Sequence, residues 1–215
     1  MCRMEPGLPQ KVAFYVDGYN LYCGVRDETG RKYLWLDIHA LCSEILTPNQ
    51  EISTIHYCTA SVRGNQDKWR RQHDYWAAIR TFPHLTIHEG YHQKNHRHCK
   101  CGQRISRYEE KQTDSRIAAL MVADAMAGRA DVLVLIGGDS DHIPPVETVR
   151  AECPGVSVLL FLPPKRKPKA LIRVAPDPLH INSAMLKRCQ LPEVVSTGVG
   201  QAVTRPAKWS DSTPR

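Results

Sequence analysis

Residues 11–16 (KVAFYV) form an unbroken apolar run too short for a helix, which predicts a buried strand. The run stops abruptly at Asp17-Gly18-Tyr19-Asn20. Asp37 then caps a predicted helix whose stripe is Ile38, Leu41, Ile45 and Leu46, closed by Pro48 and Asn49. Residues 52–62 are rich in β-branched side chains and predict a second strand. A helix is predicted over 66–82, with Trp69, Trp76 and Ile79 on one stripe, and a third strand over 85–91. The stretch 92–107 has no apolar periodicity and no acidic residue, so it reads as an exposed loop or hairpin. A long helix is predicted over 109–129, where Ile117, Leu120, Met121 and Val122 precede a stop at Gly128. Residues 131–136 (DVLVLI) carry the continuous apolar pattern of a central parallel strand and lead into Gly137-Gly138-Asp139-Ser140-Asp141. Pro144 and Pro145 open a further helix through Val146, Val149 and Cys153, followed by a fifth strand over 156–162. A short helix, a short strand near 179–181 and a last helix near 184–189 complete a domain over 11–192. Residues 1–10 and the polar stretch 193–215 are expected to be tails.

Strands alternating with helices imply right-handed crossovers and a mainly parallel central sheet with helices on both faces, a three-layer α/β/α sandwich. Such sheets bind ligands beyond the carboxyl ends of their strands. There the chain places Asp17, with Asn20 one short turn later, and Asp139 and Asp141 after two glycines. Asp114 precedes Ile117, Ala118 and Met121 on the core-facing stripe of its helix, where a carboxylate is costly unless paired or bound to metal. Each acid alone also reads as a turn or helix cap, and Asp114 as a first-turn residue favoured by the helix dipole. Together they form a site for a hard divalent cation, Mg²⁺ or Mn²⁺, suited to phosphodiester hydrolysis.

The segments VDGYN (16–20), EEKQTD (109–114) and GGDSDHIPPV (137–146) resemble, in order and separation, the three motifs of NYN domains of the LabA-like group. The resemblance covers roughly 11–192. It implies the PIN-like, Rossmann-like nuclease fold and metal-dependent ribonuclease activity. Carried over motif by motif, Asp17, Asp114, Asp139 and Asp141 correspond to the acidic metal site, with Asn20 beside it. Glu110 and Lys111 match the Glu-Lys pair of the second motif. Gly137 stands where the family often has Ser, and His142 where it often has an aromatic or aliphatic residue. His142 reads either as a surface neighbour of a helix cap or as a group that contacts phosphate or carries a proton.

Composition adds a partner class. The chain has 215 residues and a formal charge of +7, with 29 Lys+Arg against 22 Asp+Glu. The positive charge is concentrated in two segments. One contains Lys94, Arg97, Lys100, Arg104 and Arg107, continuing to Lys111, and is flanked by Tyr91 and Tyr108. The other contains Lys165, Arg166, Lys167 and Lys169 after the fifth strand. Two cationic segments around an acidic centre suit RNA, with backbone contacts to phosphate and tyrosines that stack on unpaired bases. Both also read as solvated loops. His92, His96, His98, Cys99 and Cys101 offer enough ligands for structural Zn²⁺, although Cys-x-Cys spacing is poor for a zinc knuckle. The remaining cysteines are scattered and predict no disulfide framework. No apolar run approaches membrane-spanning length, and 1–10 shows no apolar leader core, so a cytoplasmic setting without a membrane partner is expected. A homo-oligomer is left open. Rival readings are an RNA-binding regulatory module with little turnover and a small-molecule phosphohydrolase. The latter is disfavoured because Asp17-Gly18-Tyr19 lacks the Asp-x-Asp expected of haloacid-dehalogenase-like enzymes.

Overall fold

The computed structural model of the chain describes residues 8–98, 104–198 and 200–210; within 94–98 and 104–110 it describes the backbone path only. The chain opens with β1 (Gln10–Asp17), buried continuously from Val12 onward because helices cover both of its faces. Asp17 turns the chain directly into α1 (Gly18–Thr29), its side chain capping the helix by accepting from Asn20 N at 2.9 Å. α2 (Ile38–Ser43), β2 (Gln50–Ala60), α3 (Gln66–Ile79) and β3 (Leu85–His98) follow. Then come β4 (Arg104–Lys111), α4 (Thr113–Met126) and β5 (Val132–Ile136), the last buried throughout. A 3₁₀ turn, Ser140–His142, leads into α5 (Ile143–Glu152), which begins with Pro144 and Pro145 in its first turn. β6 (Ser157–Leu162), α6 (Lys169–Val174), β7 (Leu179–His180) and α7 (Ser183–Arg188) complete the sandwich.

The strands join into a seven-stranded sheet ordered β4-β3-β2-β1-β5-β6-β7. All neighbours are parallel except β3 and β4, which pair antiparallel. The expected α/β/α sandwich is therefore present. α1, α2, α3 and α7 bury Leu21, Val25, Leu41, Trp76, Ile79 and Leu186 against Phe14 and Val16 on one face. On the other face α4, α5 and α6 bury Ile117, Met121, Val149 and Leu171 against Tyr15, Leu133 and Leu135. Strand order reverses between β1 and β5: the chain proceeds from β1 towards β4 on one side, then returns to the middle and proceeds towards β7. That reversal opens a crevice beyond the carboxyl ends of β1 and β5.

Four sequence expectations need correction. A whole helix, α1, occupies a segment to which the sequence reading assigned no element beyond the short turn at 17–20; glycines at 18 and 24 hide its Leu21-Val25 spacing. The helix expected over 109–129 starts only at Thr113, because Glu109, Glu110 and Lys111 belong to β4, where Lys111 pairs with Tyr91. Gln112, at φ 75°, makes the left-handed turn between the two elements. The alternative of a loop at 92–107 gives way to the hairpin: β3 continues to His98 and pairs with β4, since ladder hydrogen bonds need no apolar periodicity. The stretch read as a C-terminal tail instead folds back through β8 (Val194–Gly198), β9 (Gln201–Thr204) and α8 (Ala207–Ser210). The reason is Trp209, which is buried against Trp35 and Tyr75 with ring centroids 6.2 Å and 5.8 Å away. Among the described residues, no helix is long and apolar enough to cross a membrane. Cys23, Cys42, Cys58, Cys153 and Cys189 are free thiols, all but Cys153 buried.

Candidate metal centre at the sheet reversal

Alternation along β1 sends Phe14 and Val16 to one face and Ala13, Tyr15 and Asp17 to the other. Asp17 thus ends β1 on the α4 side and is nearly buried, at 6% exposure. α4 starts beside it and presents Asp114 in its first turn, half exposed. From the loop after β5, the 3₁₀ turn carries His142 inward until it is fully buried. Its Nε2 lies 3.5 Å from Asp17 Oδ2 and 3.8 Å from Asp114 Oδ1. One donor atom from each of these three residues falls within 4.8 Å of the others.

Asn20 ties the two halves of the site together. Its Oδ1 accepts from Gly138 N at 3.1 Å, fastening α1 to the loop after β5. Gly137 and His142, the two positions that depart from the family pattern, are neighbours. A Cβ on Gly137 would stand 3.6 Å from the His142 ring and only 3.2 Å from Asp17 Cβ. A side chain at 137 would thus press on Asp17 while only touching the imidazole.

Asp139 and Asp141 sit on the exposed rim. Asp139 Oδ1 accepts from Asp141 N at 3.1 Å, so the first acid caps the turn that carries the second. Burial pushes the Asp114 carboxyl above its usual range; His142 opposes this, while Asp17, Asp139 and Asp141 add to it. The four carboxylates therefore share one electrostatic site, although only Asp17 and Asp114 join the tight cluster. Burial, reinforced by Asp17 and Asp114, pushes the Cys58 thiol up to about 12, which keeps it protonated beside them.

The donors fit a divalent cation. Both ring nitrogens of His142 are buried without a hydrogen-bond partner, an expensive state that a cation between imidazole and carboxylates relieves. Two carboxylates with one imidazole suit Mn²⁺ or a neighbouring transition ion better than an all-oxygen set would.

His142, one of whose alternatives was a surface position, is thus an inner residue of the site. Its signal was the departure from pattern itself, directly after two acids. A second buried polar group escaped the sequence reading. Asp124 accepts from Tyr15 Oη at 2.8 Å and from Arg129 at 2.7 Å, and His56 Nε2 lies 3.1 Å away. His56 in turn reaches His88, ring nitrogen to ring nitrogen, at 3.0 Å. Asp124 lies seven residues beyond Ile117 on the core-facing stripe, so the argument applied to Asp114 would have found it.

Of the proposed RNA contacts, Lys165 and Arg166 are engaged within the chain. Lys165 Nζ donates to Asp27 O at 2.6 Å and lies 3.6 Å from Glu28, while Arg166 lies 3.5 Å from Asp27. They satisfy the carboxyl end of α1. Lys111 is half-buried and partnered. Lys94, Arg97, Arg104 and Arg107 lie along the hairpin backbone, their side chains outside the described part, as are those of the zinc candidates His96 and His98. Lys100, Cys99 and Cys101 lie outside the described residues altogether.

A carboxylate-rich crevice at the strand-order reversal of a parallel sheet is the expected ligand-site position of an open α/β domain. The NYN domain family matches residues 11–182, and the chain belongs to that family. The chain is also 29% identical over 251 residues to the 6-hydroxy-3-succinoylpyridine 3-monooxygenase HspA of Pseudomonas putida, covering 97% of this chain and 78% of that protein. A crystal structure of a Vibrio parahaemolyticus protein of unknown function shares the fold, with a TM-score of 0.56 and 18% identity over 84% of this chain and 98% of its own.

Proposed function

We propose that this NYN domain is a divalent-metal-dependent ribonuclease of the LabA-like group, acting in the cytoplasm on phosphodiester bonds presented at the β1–β5 crevice. The convergence of Asp17, Asp114 and His142 at the sheet reversal carries this reading. Those three residues would hold Mg²⁺ or Mn²⁺, which supplies an activated water and charge stabilisation at the phosphate. Asp17 is fixed by its own helix cap and Asn20 by Gly138, so the site is held rigidly before any ligand arrives. Asp139 and Asp141, exposed on the rim, add negative potential and positions for hydrogen bonds to water. The basic hairpin arm, 92–107, supports the reading as a track for the RNA backbone.

The test is cleavage of labelled RNA with Mg²⁺ or Mn²⁺, with EDTA, and by the Asp17→Asn and Asp139→Asn variants. Chelation should abolish cleavage, and Asp17→Asn should slow it by about 100-fold or more. Cleavage indifferent to both substitutions overturns the reading. RNA binding without turnover under any divalent ion leaves a regulatory RNA-binding module on the same fold.

One observation favours a second reading. An imidazole among the donors suits a redox-capable transition ion, and the Pseudomonas putida relative is named a monooxygenase acting on a hydroxylated pyridine acid. Oxidation of that pyridine acid by the protein loaded with Fe²⁺, given O₂ and a reduced nicotinamide as reductant, would favour it over RNA hydrolysis.

A further inference from the structure

On the opposite face of the sheet, a cavity of about 330 Å³ opens between α1 and α3 at the carboxyl ends of β1 and β2. Its volume lies at the small end of the ordinary ligand-site range, about 300–1,000 Å³. Its wall begins with Gly18 and Tyr19, the two residues that follow Asp17. Cavity and metal centre therefore flank one strand end. Tyr22 and Tyr57 line the interior and Trp209 closes it from the C-terminal segment. Gly18 lets the Tyr57 ring pack directly against the start of α1. A Cβ there would strike the Tyr57 ring at 2.8 Å.

Charge identifies the occupant. Arg26, Arg63, Lys68 and Arg71 line the cavity, and among the described side chains no carboxylate does. Arg26 is held by Asp27 outside it, whereas Arg63, Lys68 and Arg71 have no carboxylate partner among the described residues. Aromatic walls take a planar ring and the cluster of cations takes an anion. His92 also lines the cavity, with a buried Nδ1 that has no hydrogen-bond partner. Burial, together with the nearby Arg63, pushes the pKa of His92 down, so the ring is neutral and Nδ1 can exchange a hydrogen bond with a polar ring edge.

We propose that the cavity is a nucleotide subsite, which receives one unstacked base of single-stranded RNA between its tyrosines and the neighbouring phosphate at Arg63 and Arg71. The subsite rests on the ribonuclease reading for its link to cleavage. A base seated there lies at the same strand end as Asp17, beside the exposed Tyr19 at the mouth, so that unpaired nucleotides, not duplex, reach the metal centre. Tyr19, 61% exposed at the mouth, is placed to cover the base.

The experiment measures binding and cleavage separately on the full chain. A short single-stranded oligoribonucleotide carrying 2-aminopurine is titrated into Asp17→Asn protein, with a duplex of the same sequence as control. Stacking should quench the 2-aminopurine emission, and the single strand should bind more tightly. Tyr19→Ala and Arg63→Ala, both at exposed positions, should each weaken binding about tenfold and reduce the quench. With Asp17 restored, the same two variants should slow cleavage of single-stranded RNA while EDTA-sensitive metal dependence persists. Quenching without any cleavage by the wild-type chain keeps the subsite and overturns the nuclease reading. Cleavage with binding unaffected by either variant overturns the subsite. Saturable binding of a free aromatic carboxylate, such as a hydroxypyridine acid, with none of the oligonucleotide also overturns it.

Discussion

The imidazole of His142 is wholly buried, lies within 4 Å of two carboxylates and has both nitrogens unbonded. His142→Gln keeps a polar side chain there but loses the ring. Calorimetric titration with Mn²⁺ should show affinity falling by about tenfold or more. An unchanged affinity would make His142 a packing residue. Gly137→Ser should weaken the same binding, because its Cβ would press on Asp17 at 3.2 Å. At this scale the sequence singled out Asp17 and Asp114, which join the cluster, whereas it left His142 between a surface position and a working group. An acid following an apolar strand, or lying on an apolar stripe, announces itself through the cost of its burial. His142 follows two exposed acids, and only the 3₁₀ turn swings it inward.

Among the elements, the C-terminal β8–β9–α8 segment adds a buried aromatic contact to the domain. Trp209 is 7% exposed and packs on Trp35 and Tyr75. Trp209→Ala should cost about 3–5 kcal/mol in urea unfolding, within the range for large aromatic truncations. A loss below about 1 kcal/mol would mean that the segment rests on the domain without stabilising it. This contribution could not be read from composition, since one tryptophan in a polar stretch gives no period. β1 and β5 were legible because strands buried on both faces are apolar at every position. The hairpin extension of β3 and β4 was legible only as one of two alternatives, because its pairing resides in the backbone and leaves no apolar period. α1 lies between these cases: Asp17 as a candidate cap and the Leu21-Val25 spacing were present, but Gly18 and Gly24 interrupt its apolar stripe.

For the whole molecule, the Tyr15-Asp124-His56-His88 group couples three strands and α4 to pH. Burial pushes the pKa of His56 down, against the pull of Asp124. Burial, then His56 and Arg116, push that of His88 down. Burial pushes the Asp124 carboxyl up, but hydrogen bonds from Arg129, Tyr15 and His56 outweigh it and hold the group below its usual range. Unfolded histidine titrates near about 6.5, so below that pH the unfolded chain binds more protons than the folded one. Stability from the pair is full above that value and falls as pH drops towards the lowered folded pKa. Asp124 contributes above about pH 4 and loses its share only in stronger acid. Melting temperature should therefore be lower at pH 5.5 than at 7.5, and His88→Asn should reduce the difference; equal temperatures for the wild-type chain would contradict the coupling. The position of β1 at the middle of the sheet also sets an order of assembly. β1 is made well before β5, so one of its two edges waits for that strand, and the other donors of the Asp17 cluster arrive only with residues 114 and 142. On a ribosome, the growing chain would carry an incomplete metal centre until most of it had emerged, and a fragment ending before β5 would leave its central strand open along one side.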